Sequence, residues 1–261
     1  MRIFLDFFSD IWRARLVFMQ FVGQHVTLRY RRTALGFLWT LVNPLFTMII
    51  TSVVFGMMMR VPVKDFAVFL FAGIIPWTLF SNCVLQGGGS ILENEALIKK
   101  IYIPKQLLVI AKCSSLLVEA VLSFTALFIL AVAIGAKVSS ALLFLPVAFL
   151  LVFVFSTGLS LLMSVSSVYF RDSAHVAGIG LQAGYYLTPI IYPVALVPER
   201  YRWIFDVNPM VCFVQLFRSP IYDGVLPSLQ IICTAMLLAV GVFLSGVMTF
   251  KKFESELIFR L

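Results

Sequence analysis

Six stretches of this chain, 34–59, 66–92, 113–136, 138–170, 176–198 and 224–250, are almost free of charge, Glu119 being the one exception. A helix needs roughly 20 apolar residues to cross a hydrocarbon layer about 30 Å thick, and each run is long enough. Lipid offers no hydrogen bonds to backbone groups, so such runs must close their own as helices. A water-soluble core does not absorb them. Hydrophobic residues are 61% of 261 positions and charged ones 12%, against about 45–50% and about 25% in soluble domains. The expectation is an all-α integral membrane protein with six transmembrane helices. A further apolar stretch, 207–217, is too short to cross and reads as re-entrant or interfacial.

Six crossings put both termini on one side, and the basic residues choose the side. Of the twenty lysines and arginines, Arg60, Lys64, Lys137, Arg200, Arg202 and Arg218 fall opposite the termini and the other fourteen fall with them. The excess marks the cytosolic face, which also accounts for the net charge of +8 without nucleic acid. Both termini are therefore expected in the cytosol, in three segments: 1–32, the spanning region 33–251, and a tail 252–261. Residues 1–32 set Ile3, Phe4, Phe7, Phe8, Ile11 and Trp12 against Arg2, Asp6, Asp10, Arg13 and Arg15. That alternation reads as an amphipathic helix lying in the membrane surface, unlike an export signal.

The strongest charged interruption of the first half is 93–105, ENEALIKKIYIPK. Its glutamates come early and its lysines late, as the dipole of a short helix favours. Leu97, Ile98, Ile101 and Ile103 have no evident core of their own and suit a groove on a soluble partner. A solvated loop ended by Pro104 fits the same residues. The other cytosolic loop, 169–175, is very short. The last outer connection, 198–227, mixes Trp203, Phe205, Phe213 and Phe217 with Arg200, Arg202, Asp206 and Arg218. Two amphipathic half-helices dipping into the outer leaflet satisfy both sets, and so does an ordered loop.

Motifs for chemistry are mostly missing. There is no G-x-x-x-x-G-K-[ST], so no P-loop nucleotide site. His25 and His175 stand alone, the four cysteines show no metal spacing, and no paired acidic motifs face the cytosol for metal-dependent transfer. Free apolar thiols are expected. Glu119 shares a helical face with Lys112, Ser115 and Ser123, and helix four has a stripe of Ser156, Ser160, Ser164 and Ser167. A buried network between the two, a proton relay or a polar pathway lining all fit. Trp39 and Phe46, Trp77 and Phe80, and Tyr185 and Tyr192 pair on helix faces; such rings suit stacking on sugars or the interfacial aromatic belt. Arg29, Arg31 and Arg32 fit a phosphate clamp or a topology anchor that holds anionic lipid.

RYRRTALGFLWTLVNP, FAGIIPWTLFSN, SILENEALIKKIYIPKQLL, YFRDSAHVAGIGLQAGYYLTPIIYP and NPMVCFVQLFRSPIYDG, in this order, resemble the membrane subunit of type-2 ABC exporters. Among these, the chain is similar to the permeases of lipid-linked polysaccharide: O-antigen, capsule and teichoic acid. The resemblance implies a non-catalytic, multi-pass subunit of the bacterial inner membrane. It would work as a homodimer with two copies of a separate ATPase, which would hold the ATP and Mg. The substrate would be an undecaprenyl-diphosphate-linked glycan. Glu93, Glu95, Leu97, Ile98, Lys99, Lys100 and Ile101 would form the coupling helix on the ATPase, with Arg171 and Asp172 a second contact. Arg29, Arg31 and Arg32 would hold the pyrophosphate, and Trp39, Phe46, Trp77, Phe80, Tyr185 and Tyr192 would line the sugar path. An exporter of small hydrophobic compounds shares this fold but calls for fewer aromatics than the 15% here.

Overall fold

A computed structural model describes residues 2–28, 39–133 and 138–261. Among these residues every regular element is a helix. Four stretches are long and apolar enough to cross a membrane: Val63–Glu93, Lys105–Val132, Ser140–Tyr169 and Leu229–Arg260, with a shorter apolar helix at Leu45–Met59. The expected run starting at 34 is described from Trp39 onward.

The first two helices, α1 (Arg2–Arg13) and α2 (Arg15–Leu28), are nearly continuous, because Ala14 N–H still donates to the Asp10 carbonyl at 3.1 Å. Trp12, Leu16 and Met19 are exposed along them, while Phe7 is wholly buried and Phe8 lies 6.4 Å from the ring of Phe243 near the chain's end. Amphipathicity thus serves two partners, a covering of α1 by the bundle and a free apolar flank.

Next come α3 (Trp39–Met59) and α4 (Val63–Asn82), joined by three residues. Arg60 ends α3 with φ 54°, and Val61 N–H reaches back to the Gly56 carbonyl at 3.1 Å, a left-handed helix stop that normally uses glycine. From Phe66 to Phe80 nearly every residue of α4 is buried. A helix apolar on all sides belongs at the centre of a bundle, and α4 is that centre. It runs through Pro76 into a π-helical turn, Cys83–Gly87, then α5 (Gly88–Glu93) and α6 (Glu95–Ile98). A Cβ on Gly87 would sit 2.7 Å from Cys113 Sγ, and one on Gly88 2.7 Å from Met163 Cβ. Glycine here is what lets the turn press into the seam between the two following helices.

Those helices are α7 (Lys105–Ala133) and α8 (Leu145–Tyr169), the latter entered through a 3-10 turn at Ser140–Phe144. α7 begins eight residues before the apolar run that starts at Cys113, since charge marks where hydrocarbon ends and not where a helix ends. Its 29 residues span about 43 Å, more than the hydrocarbon core. In the serine stripe of α8, Ser160 donates to the Cys83 carbonyl at 2.7 Å and Ser164 to the Leu161 carbonyl of its own helix at 2.8 Å, while the buried hydroxyls of Ser156 and Ser167 make no hydrogen bond among the described residues. Ser160 also accepts from the Cys113 thiol at 3.3 Å. Ser160 therefore ties α8 to the π-helical turn and to α7. All four cysteines are free thiols.

The run 176–198 is not one helix. α9 (Ser173–Leu187) has 15 residues, or about 22 Å, and stops at Thr188, which is extended. Pro189 and Pro193 explain the correction: the residue before a proline is pushed out of the helical region, and proline cannot donate. Likewise 224–250 begins late. Gly224 is left-handed at φ 76°, and the helix starts only after the Ser228 cap. Between these lie α10 (Trp203–Val207) and α11 (Pro209–Arg218). Finally α12 (Leu229–Arg260) runs 32 residues without a break, so the expected tail 252–261 is helix almost to its end. α8 and α12 cross closely, with Gly158 facing Gly246.

Candidate functional site

Both chain ends meet at one end of the bundle, and so do the two charged segments. Asn94 breaks the helix between α5 and α6; its carbonyl accepts from Leu97 and Ile98 N–H, both at 3.0 Å. On α6, Lys99 Nζ donates to Glu95 Oε1 at 2.6 Å. That bond, with the lysine's charge, holds the Glu95 carboxyl below its usual range, and the charge of Arg171 adds to it. Arg171, exposed with Asp172 in the turn after α8, is thus within electrostatic range of Glu95. Lys112 Nζ lies 3.9 Å from Glu93 Oε2.

The apolar residues of this segment divide. Ile98, expected on a partner-facing side, is buried in the chain's own core, so it anchors the segment. Leu97 is half-buried, whereas Lys99, Lys100 and Ile101 are exposed. Tyr102, which the sequence reading passed over, is 97% exposed. A tyrosine beside two lysines and an isoleucine was visible as a pattern; its exposure was not.

The proposed aromatic lining is brought together only in part. The Trp77 ring lies 5.5 Å from Phe80 and 5.8 Å from Tyr185, and Phe80 lies 5.7 Å from Phe155. Trp77 and Phe80 are buried within this single chain, and Trp77 packs against Tyr185, which is half-buried. Tyr186 beside it is exposed. Trp39 and Phe46 are exposed on α3. Tyr192 is set apart: its hydroxyl donates to the Tyr186 carbonyl at 2.7 Å, and its ring is 6.3 Å from Phe205. Arg29, Arg31 and Arg32 lie outside the described residues. Among the described residues no group of histidine, cysteine or carboxylate is arranged to hold a metal ion.

The opposite end of the bundle holds a polar latch that the sequence did not disclose. Ending α9 leaves carbonyls without helical partners, and side chains from far along the chain reach them. Asn208 Nδ2 donates to Thr188 Oγ1 at 2.9 Å and to the Leu187 carbonyl at 3.3 Å, while its Oδ1 caps α11 through Met210 N–H at 3.0 Å. Arg218 Nη2 donates to the Pro189 carbonyl at 2.8 Å and the Ile190 carbonyl at 3.3 Å. The guanidinium lies 3.7 Å above the Phe69 ring of α4. One asparagine and one arginine thus tie the break after α9 to both ends of α11.

Comparison with known proteins places these features. The ABC-2 type transporter family matches residues 17–222. An O-antigen export system permease protein, RfbA, of Myxococcus xanthus is 28% identical over 223 residues, 85% of this chain and 86% of the relative. An RfbA of Klebsiella pneumoniae is 25% identical over 78% of this chain and 79% of its own. A polysialic acid transport protein, KpsM, of Escherichia coli is 26% identical over 77% and 79%.

Proposed function

The chain belongs to the ABC-2 type transporter family, and from that premise we propose that it is the membrane permease of an ABC system exporting O-antigen polysaccharide, carried on undecaprenyl diphosphate, from cytosol to periplasm. The observation that carries this reading is the similarity to O-antigen export permeases along 85% of the chain and 86% of the relative. Four long apolar helices and the shorter apolar Leu45–Met59 support a multi-pass bundle, in which α9 supplies the sixth membrane segment, and the basic bias supports cytosolic termini in the inner membrane. The permease works as a homodimer, and two copies of a separate ATPase bind ATP and Mg. α10 and α11 are the half-helices of the outer leaflet.

In this scheme closure of the ATPase pair pushes on Glu93–Ile101 and on the turn at Arg171 and Asp172. The push passes into α7 and α8 and opens a path at the dimer seam, and the permease itself does no bond chemistry. Arg29, Arg31 and Arg32 hold the pyrophosphate where the lipid-linked chain gains access. Tyr185, Trp39 and Phe46 offer ring faces to sugars.

Two measurements check the scheme. Lys99→Glu with Lys100→Glu should cut permease-stimulated ATP hydrolysis about tenfold, within the roughly 5–150-fold that allosteric couplings of 1–3 kcal/mol span, while the permease stays monodisperse; unaltered stimulation rejects the contact. Changing Arg29, Arg31 and Arg32 to Gln should impair export with topology intact, and normal surface polymer rejects the pyrophosphate role. The likeness to a polysialic acid transporter favours capsule as the second reading. Cells without the chain should lose the long polysaccharide of their lipopolysaccharide and keep capsule; the reverse selects the second reading.

A further inference from the structure

The last three turns of α12 make three separate connections. On one side, Lys251 Nζ donates to Asp10 Oδ2 of α1 at 3.0 Å and lies 2.9 Å from Glu254 Oε2. Asp10 Oδ2 also accepts from Gln106 Nε2 at 3.2 Å, and Gln106 is fully buried in the first turn of α7. Lys105, the residue that opens α7, donates to the Glu254 carbonyl at 3.1 Å. α7 starts directly after the segment that carries Lys99 and Lys100. On the other side, the Tyr169 hydroxyl donates to Glu256 Oε2 at 2.6 Å, its ring lies 5.6 Å from Phe253, and the Arg260 guanidinium is 4.2 Å above it. Tyr169 is the last residue of α8, two before Arg171.

We propose that the end of α12 is a strut that locks the interfacial helix α1 to both charged segments, with Asp10 and Glu256 as its positioning residues. The geometry favours a mechanical tie over a decorative surface pair. The Lys251 side chain is 16% exposed and shared between two carboxylates, and a network holds orientation where a lone exposed pair does not. Both branches land at the roots of the segments and leave the segments' exposed faces free. Helix α1 then moves with the ATPase contacts as one body. This rests on the reading of those segments as ATPase contacts.

The test uses the permease–ATPase complex in vesicles and cells, and reads polymer exported per ATP hydrolysed. Asp10→Asn should lower that ratio about fivefold, the lower end of measured couplings, with the ATPase still bound. Asp10→Lys combined with Lys251→Asp should recover it, as expected for two residues that act as a pair. Tyr169→Phe removes a single hydroxyl and should lower the ratio from the other branch even where Asp10 variants assemble poorly. A merely structural role lowers the amount of complex and leaves the ratio alone. If Lys99→Glu with Lys100→Glu uncouples while Asp10→Asn and Tyr169→Phe keep the wild-type ratio, the strut is overturned and the contact reading stands. If the lysine reversal also keeps that ratio, the contact reading fails and the strut falls with it.

Discussion

Gly158→Val should prevent the chain from accumulating as a monodisperse protein. A Cβ at this position would stand 2.6 Å from Phe243 Cα, 2.7 Å from Phe243 N and 2.8 Å from the Val242 carbonyl carbon. All three are backbone atoms of α12, so none can swing aside as a side-chain tip does. The reciprocal Cβ on Gly246 would run into the Gly158 carbonyl. In a membrane, helices gain little from hiding apolar surface and associate through close packing, which small residues permit. Forcing the two apart forfeits that packing along the crossing. Gly158→Ala should cost about 1–3 kcal/mol, the usual range for overpacking, and valine more. Gly241 is the control: a Cβ there meets nothing within 4 Å, so Gly241→Ala should be neutral or stabilising. Thermal denaturation in detergent decides the matter, and a Gly158→Val protein that melts with wild type would refute the close crossing.

Arg218→Leu should be nearly as damaging, for a polar reason. It strands the carbonyls of Pro189 and Ile190, which no longer belong to a helix, and removes the cation stacked on Phe69. A buried acceptor left unpaired costs about 1–3 kcal/mol, and a desolvated cation–π contact is worth about 2 kcal/mol. The expected loss is on the order of 4 kcal/mol. Arg218→Lys should restore less than half of it, because an ammonium cannot stack as a planar guanidinium while bonding two carbonyls. The denaturation midpoints of the three proteins give the ranking. Lysine matching arginine would mean that charge alone matters there.

Membrane helices were legible because hydrocarbon excludes charge, and that rule locates apolar runs well. It does not locate helix ends. α7 and α12 extend past their apolar runs into Lys105 and Arg260, whose side chains find partners at Glu254 and Tyr169, and the backbone has no reason to stop. α9 ends inside its run for the opposite reason: Pro189 ends a helix without leaving any trace in hydropathy. The candidate site was legible where it is local. Glu95 and Lys99 are one turn apart, and their pairing follows from helix geometry. Arg218, Asn208 and Asp10 find partners 20 or more residues away, and nothing in a single sequence joins them. Trp77 and Phe80 share a helical face, as read, but a face says nothing of what covers it. Here Tyr185 and Phe155 do.

The pairing of Asp10 with Lys251 crosses 241 positions, nearly the whole polypeptide, and this sets the order of assembly. At about 5–20 residues per second, synthesis takes on the order of tens of seconds to pass from one to the other. For that whole interval α1 is made but has no α12 to dock on. The tie to Lys251 can therefore form only after synthesis has passed that residue, and until then Asp10 has only Gln106 of α7 to hold it.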